Sequence, residues 1–294
     1  MQKEFETFNP LVIFIYFAMV IGTGVSMSSP FIMAVFTVCG WIYAIYLKGA
    51  RAIKSNLLMT VPVVLFITIF NTLFTHQGNT ILFYINNNPI TKEAISFGIF
   101  SGFMFASVLI WFSCFNRIVN GEMIMYLFSR ISSFFGLLIS MILRYIPLLK
   151  KRYTDISAGQ RCMYQGQEQK GVVRLKTGLK KVSILTSWSL ESSIESADSM
   201  AARGYGLKGR TSFVLYKISL RDIFMIGLVI FCGAVSIYFA TTGKNEMIFY
   251  PDVKMPELTL KGVLSGAWFL VLTLMPVITD IAGEIKWRKS ESGI

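Results

Sequence analysis

The sequence predicts an all-α, polytopic integral membrane protein with about six spanning helices and a helical insert on the cytoplasmic side. Only 15% of its 294 residues are charged and 54% are hydrophobic, whereas a soluble domain has about 25% charged residues. The charges are also unevenly distributed, so that long stretches contain no Lys, Arg, Asp or Glu. Because a spanning helix needs about 20 largely apolar residues, each such stretch is a candidate span. Buried helices of a soluble core are the alternative, but these helices usually keep a charged face.

The uncharged stretches divide into six predicted spans. The first stretch, 7–47, is 41 residues long, which is enough for two spans, and Ser28-Ser29-Pro30 predicts a turn in its middle. We expect the first span to be retained rather than cleaved as a signal peptide, because residues 1–10 lack a basic n-region and no small-residue cleavage site follows. The predicted spans are 10–27, 31–47, 57–75, 95–115, 222–242 and 262–280.

The net charge of +12 is concentrated on one side of the predicted spans. Six spans place both termini on the same side, together with residues 117–221 between the fourth and fifth spans. This side holds 24 of the 28 Lys and Arg residues, and 150–221 alone has 14 basic against five acidic residues. Because cytoplasmic loops are enriched in Lys and Arg, both termini and residues 117–221 are predicted to be cytoplasmic. The predicted regions are N-terminal membrane helices in 1–120, juxtamembrane and cytoplasmic helices in 121–221, and C-terminal membrane helices in 222–294.

One apolar segment is too short to count as a further span. Residues 131–143 carry no charge but number only 13, a length more typical of interfacial, re-entrant or protein-buried segments. A span here would also move the basic stretch to the other side of the membrane. We therefore predict that 122–149 forms helices that lie at the inner face or pack among the spans.

Residues 145–222 are predicted to form two long helices and a linker. Pro147 suits an early position or a kink in the first helix, 147–164, and the polar segment 165–178, which contains three glycines, is predicted to be the connector. The second helix is predicted at 179–203, with Gly204 in the position of a C-terminal glycine cap. An apolar stripe follows this helix at helical spacing: Leu190, Ile194, Ala197 and Ala201.

Arg203 falls in the last turn of this helix, where a positive charge is favourable against the helix dipole. An Arg guanidinium is always charged and pairs bidentately with carboxylates. A helix ending on Arg203 therefore suits an acidic pocket on another protein. The pattern alone leaves a simpler interpretation open, since a basic cytoplasmic loop is usually a topology determinant with weak affinity for anionic lipid.

The chain resembles the T components of energy-coupling factor (ECF) transporters in three segments: Leu143-Arg144-Tyr145-Ile146-Pro147-Leu148-Leu149, Gly159-Gln160-Arg161 and Ser196-Ala197-Asp198-Ser199-Met200-Ala201-Ala202-Arg203-Gly204-Tyr205-Gly206. The resemblance covers residues 120–213 by motif. It implies two cytoplasmic coupling helices that end in short Ala-Arg-Gly-type motifs and dock on two ABC ATPase subunits. The second of these motifs is present as Ala202-Arg203-Gly204.

The first motif departs from the family pattern. Counting from Ile146-Pro147, the pattern places Ala-Arg-Gly near Cys162-Met163-Tyr164, whereas the nearest cation is Arg161, next to Gln160. Arg161 then docks at an angle shifted by about 200°, since two residues rotate a helix that far. The alternative is a mainly apolar contact through Met163 and Tyr164.

The resemblance implies a transmembrane coupling subunit of an ECF-type ABC importer. Such a chain transmits ATP hydrolysis by two partner ATPases to a small membrane S component, which captures a vitamin or a transition-metal ion. The S component selects the substrate, so this sequence does not name it. The surface for the S component is expected in 122–149, where Met and Phe side chains give an adaptable apolar face; ordinary lipid-facing or packing roles are the alternative. The candidate interface residues are Arg144, Pro147, Met141 and Phe134.

Other function classes are disfavoured by what the sequence lacks. There is no GxxxxGK[ST] phosphate-binding loop, so this chain is not expected to be an enzyme, and the partner subunits supply ATP hydrolysis. His76 is the only histidine, and the four cysteines have no CxxC spacing, so neither a metal site nor another cofactor is predicted. Nucleic-acid binding lacks the expected interleaved aromatics and soluble fold. The spans are almost free of ionisable residues, which disfavours an ion-coupled permease. A stand-alone membrane transporter or a lipid-binding scaffold in the bilayer is the alternative.

Overall fold

The computed structural model describes residues 4–85, 88–163, 171–207, 218–243, 247–254 and 259–291. The chain is 84% helical, with nine α-helices among the described residues, which confirms the predicted all-α class. A 3₁₀ turn precedes the first helix, and strands β1 (Ile81–Ile85) and β2 (Asn88–Thr91) pair antiparallel between the third and fourth helices. The helices are α1 (Pro10–Ser26), α2 (Pro30–Lys48), α3 (Arg51–Phe74), α4 (Lys92–Ile118), α5 (Gly121–Ile131), α6 (Ser133–Met163), α7 (Val172–Ala202), α8 (Leu220–Gly243) and α9 (Leu260–Glu291).

Five helices are long and apolar enough to cross a membrane, namely α2, α3, α4, α8 and α9. The remaining predicted span, 10–27, coincides with α1, which has 17 residues and is slightly shorter than the roughly 20 that a full span needs. The fold is therefore that of an all-α polytopic membrane protein. Helices α5, α6 and α7 are not among the candidate spans, as the short apolar run at 131–143 predicts.

The observed helices extend beyond the predicted spans into polar sequence. Helix α3 begins at Arg51 rather than at residue 57, and α9 continues to Glu291 rather than ending at residue 280. Charged side chains at a helix end can reach toward water while the helix continues, so loss of charge marks only the apolar part of a helix. The predicted turn between the first two spans is confirmed, because Ser29 is the N-cap of α2 and Pro30 its first residue.

The chain divides into two compact units. Unit 1 comprises Met1–Asn120 and Tyr216–Ile294, and unit 2 comprises Gly121–Leu215. Unit 1 therefore holds α1–α4, α8 and α9, including all five candidate spans. Unit 2 holds α5, α6 and α7.

Aromatic side chains fill the centre of unit 1. Trp111 is fully buried, stacks on Phe36 with ring centroids 6.1 Å apart, and donates its indole N–H to the Phe36 carbonyl oxygen at 3.1 Å. Phe17 and Tyr43 contact the same indole ring. Gly40 makes room for it, since a Cβ there would lie 2.9 Å from the indole Nε1. Helices α1, α2 and α4 thus pack around one side chain.

Helices α3 and α4 approach each other closely at two glycines. A Cβ at Gly98 would lie 2.9 Å from the Thr68 Cα, and one at Gly102 would lie 3.0 Å from the Val64 Cα. Small residues of this kind let the backbones of transmembrane helices come into contact. Only 6% of the apolar window of α3 is buried, so most of its surface is free to face lipid.

Two buried carboxylates hold the N-terminal segment against α8 and α9. Asp280 on α9 accepts the backbone N–H of Phe5 at 2.7 Å, and Asp222 on α8 accepts that of Asn9 at 3.4 Å. Asp222 also accepts the backbone N–H of Ser219 at 2.8 Å. Because charge-assisted hydrogen bonds are among the stronger ones, these contacts fix where α1 begins.

In unit 2, the first predicted helix is part of a longer one. Ser132 separates α5 from α6, and its hydroxyl accepts the backbone N–H of Phe134 at 3.3 Å. From Ser133, α6 continues through Pro147 to Met163, so the predicted start of a helix at residue 147 is wrong. The apolar segment 131–143 and the basic segment after it are both compatible with a helix. The sequence between these two segments contains no signal that would end the helix. Residue 164 lies outside the described residues.

The second helix of the insert also begins earlier than predicted. The connector predicted at 165–178 is wrong for 172–178, which form the first turns of α7; residues 164–170 lie outside the described residues. Gly171 has φ +61° and is the residue at which the chain enters the helix. Gly178 lies inside the helix, and a Cβ added there would meet no atom within 4 Å. An isolated glycine lowers helix propensity by only about 1 kcal/mol, so it does not end this helix.

Candidate docking site on the α6–α7 helix pair

The C-terminal end of α7 is closed by a Schellman motif, in which two backbone bonds cap the last carbonyl groups of a helix. Gly204 has φ +80°. The backbone N–H groups of Gly204 and Tyr205 donate to the carbonyl oxygens of Ala201 and Met200, both at 3.0 Å. These bonds pair carbonyl groups that a helix end otherwise leaves unsatisfied. The predicted glycine cap is therefore confirmed.

Arg203 is the C-cap residue of α7 and directly follows Ala202. Its backbone N–H donates to the carbonyl oxygens of Ser199 and Met200, both at 3.2 Å. Its side chain is exposed, and within the described part of the chain no ion pair engages it. The motif thus presents a free cation from a fixed, capped helix end.

The second predicted docking cation lies in the last turn of α6. Arg161 is exposed, whereas the neighbouring Gln160 is buried, with 6% of its surface exposed. Arg161 is therefore the accessible member of this pair. Met163, the last described residue of α6, is 71% exposed and offers apolar surface next to the cation. Tyr164 lies outside the described residues.

Two contacts show that α6 and α7 run antiparallel. The Tyr145 hydroxyl oxygen lies 3.1 Å from that of Ser196. Seven residues later on α6, the Arg152 guanidinium lies 4.8 Å from the ring centre of Trp188, which is eight residues earlier on α7. The partner positions decrease along α7 as they increase along α6, so the C-terminal part of each helix lies beside the N-terminal part of the other.

The two exposed arginines consequently lie at opposite ends of the helix pair. Arg161 is 16 residues beyond Tyr145 on α6, and Arg203 is 7 residues beyond Ser196 on α7. At about 1.5 Å per residue, about 35 Å of helix separates the two cations. A single pocket on one partner does not accommodate both, whereas two separate pockets do.

A groove of about 500 Å³ lies between the N-terminal half of α6 and the C-terminal half of α7. Its α6 wall is apolar and its α7 wall is largely serine. Met200 and Tyr205, the two residues bridged by the Schellman motif, close one end of it. The lining residues are Phe134, Leu137, Leu138, Met141, Ile142, Tyr145, Ile146, Leu149, Ser189, Ser193, Met200 and Tyr205.

Helix α7 faces α6 mainly through serines that bond to their own backbone. The hydroxyls of Ser189, Ser193 and Ser196 each donate to the carbonyl oxygen four residues earlier on α7. Tyr145 crosses to this face, and its hydrogen bond with Ser196 lowers the pKa of the Tyr145 phenol. Small polar residues bury little apolar area. The contact between α6 and α7 is therefore only weakly stabilised by hydrophobic burial.

The four residues predicted for the S-component interface fall on two faces of α6. Phe134 and Met141 line the groove. Arg144 and Pro147 are exposed and do not belong to the groove lining. The sequence missed the opposite wall of the groove, although serines at 189, 192, 193 and 196 repeat at helical spacing and could have revealed it.

Among the described residues, no group of three or more His, Cys, Asp or Glu side chains is placed to hold a metal ion. The four cysteines are free thiols, and only Cys162 is exposed.

No family model matches the chain, and no curated protein matches it either.

Proposed function

We propose that this chain is the transmembrane coupling subunit of an ECF-type ABC importer for a vitamin or a transition-metal ion. The observation that carries the proposal is the placement of the exposed Arg203 and Arg161 at opposite ends of the α6–α7 pair. These arginines lie in the segments that resemble the T-component motifs. Two ABC ATPase subunits, one at each end of the pair, are the partners that such a spacing suits.

Each arginine has the physical properties that a docking residue needs. Its guanidinium pairs with a carboxylate in a fixed, bidentate geometry. The Schellman motif at Gly204 removes conformational freedom from the end that carries Arg203, so little entropy is lost when a partner binds there. A helix whose end is clamped in this way transmits a displacement of the partner along its whole length.

The groove between α6 and α7 supports the second part of the proposal, contact with a small membrane S component. Phe134 and Met141 line it together with further apolar side chains of α6, and Met-rich surfaces adapt to several partners. ATP-driven movement of the two ATPases shifts the helix ends and changes the shape of this groove. The chain itself contributes no ATP hydrolysis in this scheme.

The proposal also fixes the orientation in the membrane. Both termini and residues 117–221 lie in the cytoplasm, as the distribution of Lys and Arg indicates, and the protein resides in the cell membrane. The ATPases then meet α6 and α7 from the cytoplasm. The bilayer surrounds the spanning helices of unit 1.

A pull-down from detergent tests the proposal. The tagged chain is expressed in its native cell, purified in mild detergent, and its co-purifying proteins are identified by mass spectrometry. Arg203→Glu and Arg161→Glu are compared with Lys151→Glu, a matched control at an exposed cation inside α6. We expect two ABC ATPases and a small membrane protein with the native chain. Because a reversed charge leaves the partner carboxylate unpaired, we expect about a tenfold or greater loss of ATPases with Arg203→Glu and no loss with Lys151→Glu.

Three results would contradict the proposal. A native preparation that is stable in mild detergent and contains no ATPase would favour a stand-alone transporter or a scaffold. Unchanged substrate uptake in cells that carry Arg203→Ala, at a normal protein level, would remove Arg203 from the coupling step. Equal loss of ATPases with all three Glu variants would indicate general electrostatic attraction rather than docking at the helix ends.

A further inference from the structure

Helix α7 has two halves of opposite charge. Residues 172–184 contain four basic and no acidic residues, whereas 185–202 contain three acidic and no basic residues. The basic residues are Arg174, Lys176, Lys180 and Lys181, and the acidic residues are Glu191, Glu195 and Asp198. The proposed docking of Arg203 concerns the acidic half, so the basic half has no role in it.

The basic half carries an exposed apolar stripe, named here the α7 stripe. Its members are spaced by three, four and three residues and therefore share one face of the helix. Their exposed fractions are large, from 55% to 81%, although their side chains are fully apolar. The α7 stripe consists of Val172, Leu175, Leu179 and Val182.

The α7 stripe is not the face that contacts α6. The half-buried positions of this helix are Thr177, Gly178, Lys181, Leu185, Trp188, Ser189, Ser192, Ser196 and Met200, and Trp188 and Ser196 contact α6. On a helix that turns about 100° per residue, the mean direction of these positions lies roughly 110° away from the centre of the stripe. The stripe therefore faces outward and is not covered by α6.

Cations lie on both sides of the stripe. At about 100° per residue, Lys176 and Lys180 project from one side of it and Arg174 from the other. All three are exposed. Their long aliphatic stems can lie along an apolar surface while the charged groups reach outward. An apolar face flanked by Lys and Arg, without acidic residues, is typical of helices that lie in the interface of an anionic bilayer.

Chain connectivity tethers this helix to segments that are candidates for spanning a bilayer. Unit 2 follows α4 and precedes α8, and both of these helices are candidate spans. A tethered segment meets the surface at a high effective concentration, so even a modest affinity suffices. A soluble protein partner would have to compete with this ever-present surface for the same four apolar side chains.

We propose that residues 172–182 of α7 bind the surface of an anionic phospholipid bilayer, with the α7 stripe inserted among the acyl chains and the three flanking cations on the headgroups. This contact is separate from the ATPase docking proposed above and needs neither ATPase nor S component. It would hold the start of α7 on the membrane while the opposite end of the helix, with Arg203, stays free.

The test uses the full chain in lipid nanodiscs. With Cys162→Ser the described cysteines that remain are buried, so an environment-sensitive fluorophore on Ser183→Cys reports from the edge of the stripe. The same fluorophore on Glu191→Cys, exposed in the acidic half, is the control. Discs of phosphatidylcholine alone are compared with discs that also contain phosphatidylglycerol. A nitroxide on the lipid acyl chains serves as the quencher.

We expect the Ser183→Cys label to shift to shorter wavelength and to be quenched only in phosphatidylglycerol discs, while the Glu191→Cys label stays in water in both. Combined Arg174→Gln, Lys176→Gln and Lys180→Gln changes are expected to weaken the contact about a hundredfold, or about fivefold per cation. About 1 M salt, which reduces the Debye length to about 3 Å, should weaken it as well.

Two outcomes would overturn the proposal. If the Ser183→Cys label reports an aqueous environment in both kinds of disc, the stripe does not bind lipid. A shift that occurs only after the ATPases or the S component are added would mean that a protein covers the stripe. Neither outcome affects the proposed function, which depends on recovery of ATPases with the native chain.

Discussion

Units 1 and 2 are both built from long helices, but they bury their side chains to very different extents. In unit 1, Trp111 and its aromatic neighbours are completely enclosed. In unit 2, α7 has 31 residues and none of them is buried. Unit 1 is therefore stabilised by tertiary packing, whereas α7 depends on local helix terms such as its C-terminal cap. A helix that the described part of the chain leaves uncovered is the part of the molecule to be explained by partners.

The largest expected difference between the units is the effect of removing a tryptophan. Trp111→Ala deletes a fully buried ring and its hydrogen bond to Phe36, which should lower the stability of unit 1 by about 3–5 kcal/mol. Trp188→Ala removes a half-buried ring and one contact with Arg152, worth about 1 kcal/mol or less.

Thermal unfolding in detergent, followed by a thiol-reactive fluorophore in a Cys162→Ser background, measures this difference. The buried Cys39, Cys114 and Cys232 all lie in unit 1 and react when it opens. Trp111→Ala should lower the transition temperature strongly and Trp188→Ala hardly at all. Equal decreases would show that the two units do not differ in packing as described.

Glycine substitutions should change stability in opposite directions in the two units. Gly98→Ala places a Cβ 2.9 Å from the backbone of Thr68, so α3 and α4 must move apart, at a cost of about 1–3 kcal/mol. Gly178→Ala meets no atom within 4 Å and should stabilise α7 by up to about 1 kcal/mol through helix propensity.

The thiol assay reports the first change, and amide hydrogen exchange along α7 reports the second. Gly98→Ala should lower the transition temperature of unit 1, and Gly178→Ala should slow exchange in residues 174–184. Faster exchange in Gly178→Ala would mean that this glycine is needed for a close approach or a bend.

A smaller effect is expected at the end of α7. Gly204 has φ +80°, a conformation that costs an L residue about 1–2 kcal/mol. Gly204→Ala should therefore loosen the last turn, with roughly five- to thirtyfold faster amide exchange around Tyr205, and leave the transition of unit 1 unchanged. Gly204→Asn is the matched control, because Asn tolerates this conformation better, and it should restore much of the protection.

The sequence was informative wherever a local rule decides the structure. Charge depletion located the spans because the bilayer excludes charge, Ser29 and Pro30 marked a helix start, and Gly204 marked a helix end. The start of α7 was missed because Gly178 was interpreted as a breaker. Leu175, Leu179 and Val182 have helical spacing, and this spacing indicates that the helix continues through Gly178.

The candidate site could be predicted only in part. Arg203 was identified as a helix-end cation from its position next to a glycine cap, whereas Arg161 was identified only through the resemblance to the T-component motifs. Their placement at opposite ends depends on the antiparallel register of α6 and α7, which is seen in the contacts of Tyr145 with Ser196 and of Arg152 with Trp188. No local pattern encodes that register, so neither the groove nor the division of Met141 and Arg144 onto different faces of α6 followed from the sequence.

The smallest effect on stability that we predict concerns the hydrogen bond between Tyr145 on α6 and Ser196 on α7. Tyr145→Phe and Ser196→Ala each remove one partly exposed hydrogen bond, worth about 0.5–1 kcal/mol. A double-mutant cycle on the hydrogen exchange of α7 should show that the two changes are not additive, because they remove the same bond. Additive effects would mean that the two hydroxyls do not interact.

The same hydrogen bond should also change the pH at which the Tyr145 phenol titrates. It lowers the pKa of Tyr145 in the folded chain, so the linked stabilisation is present above the unfolded pKa of tyrosine and is lost as the pH falls through the folded value. Phenolate absorbance, taken as the difference between the native chain and Tyr145→Phe, should therefore titrate at higher pH in Ser196→Ala. An unchanged midpoint would assign the lowered pKa to another neighbour, such as Ser192, and would leave Arg152 and Trp188 as the contact that aligns the two helices.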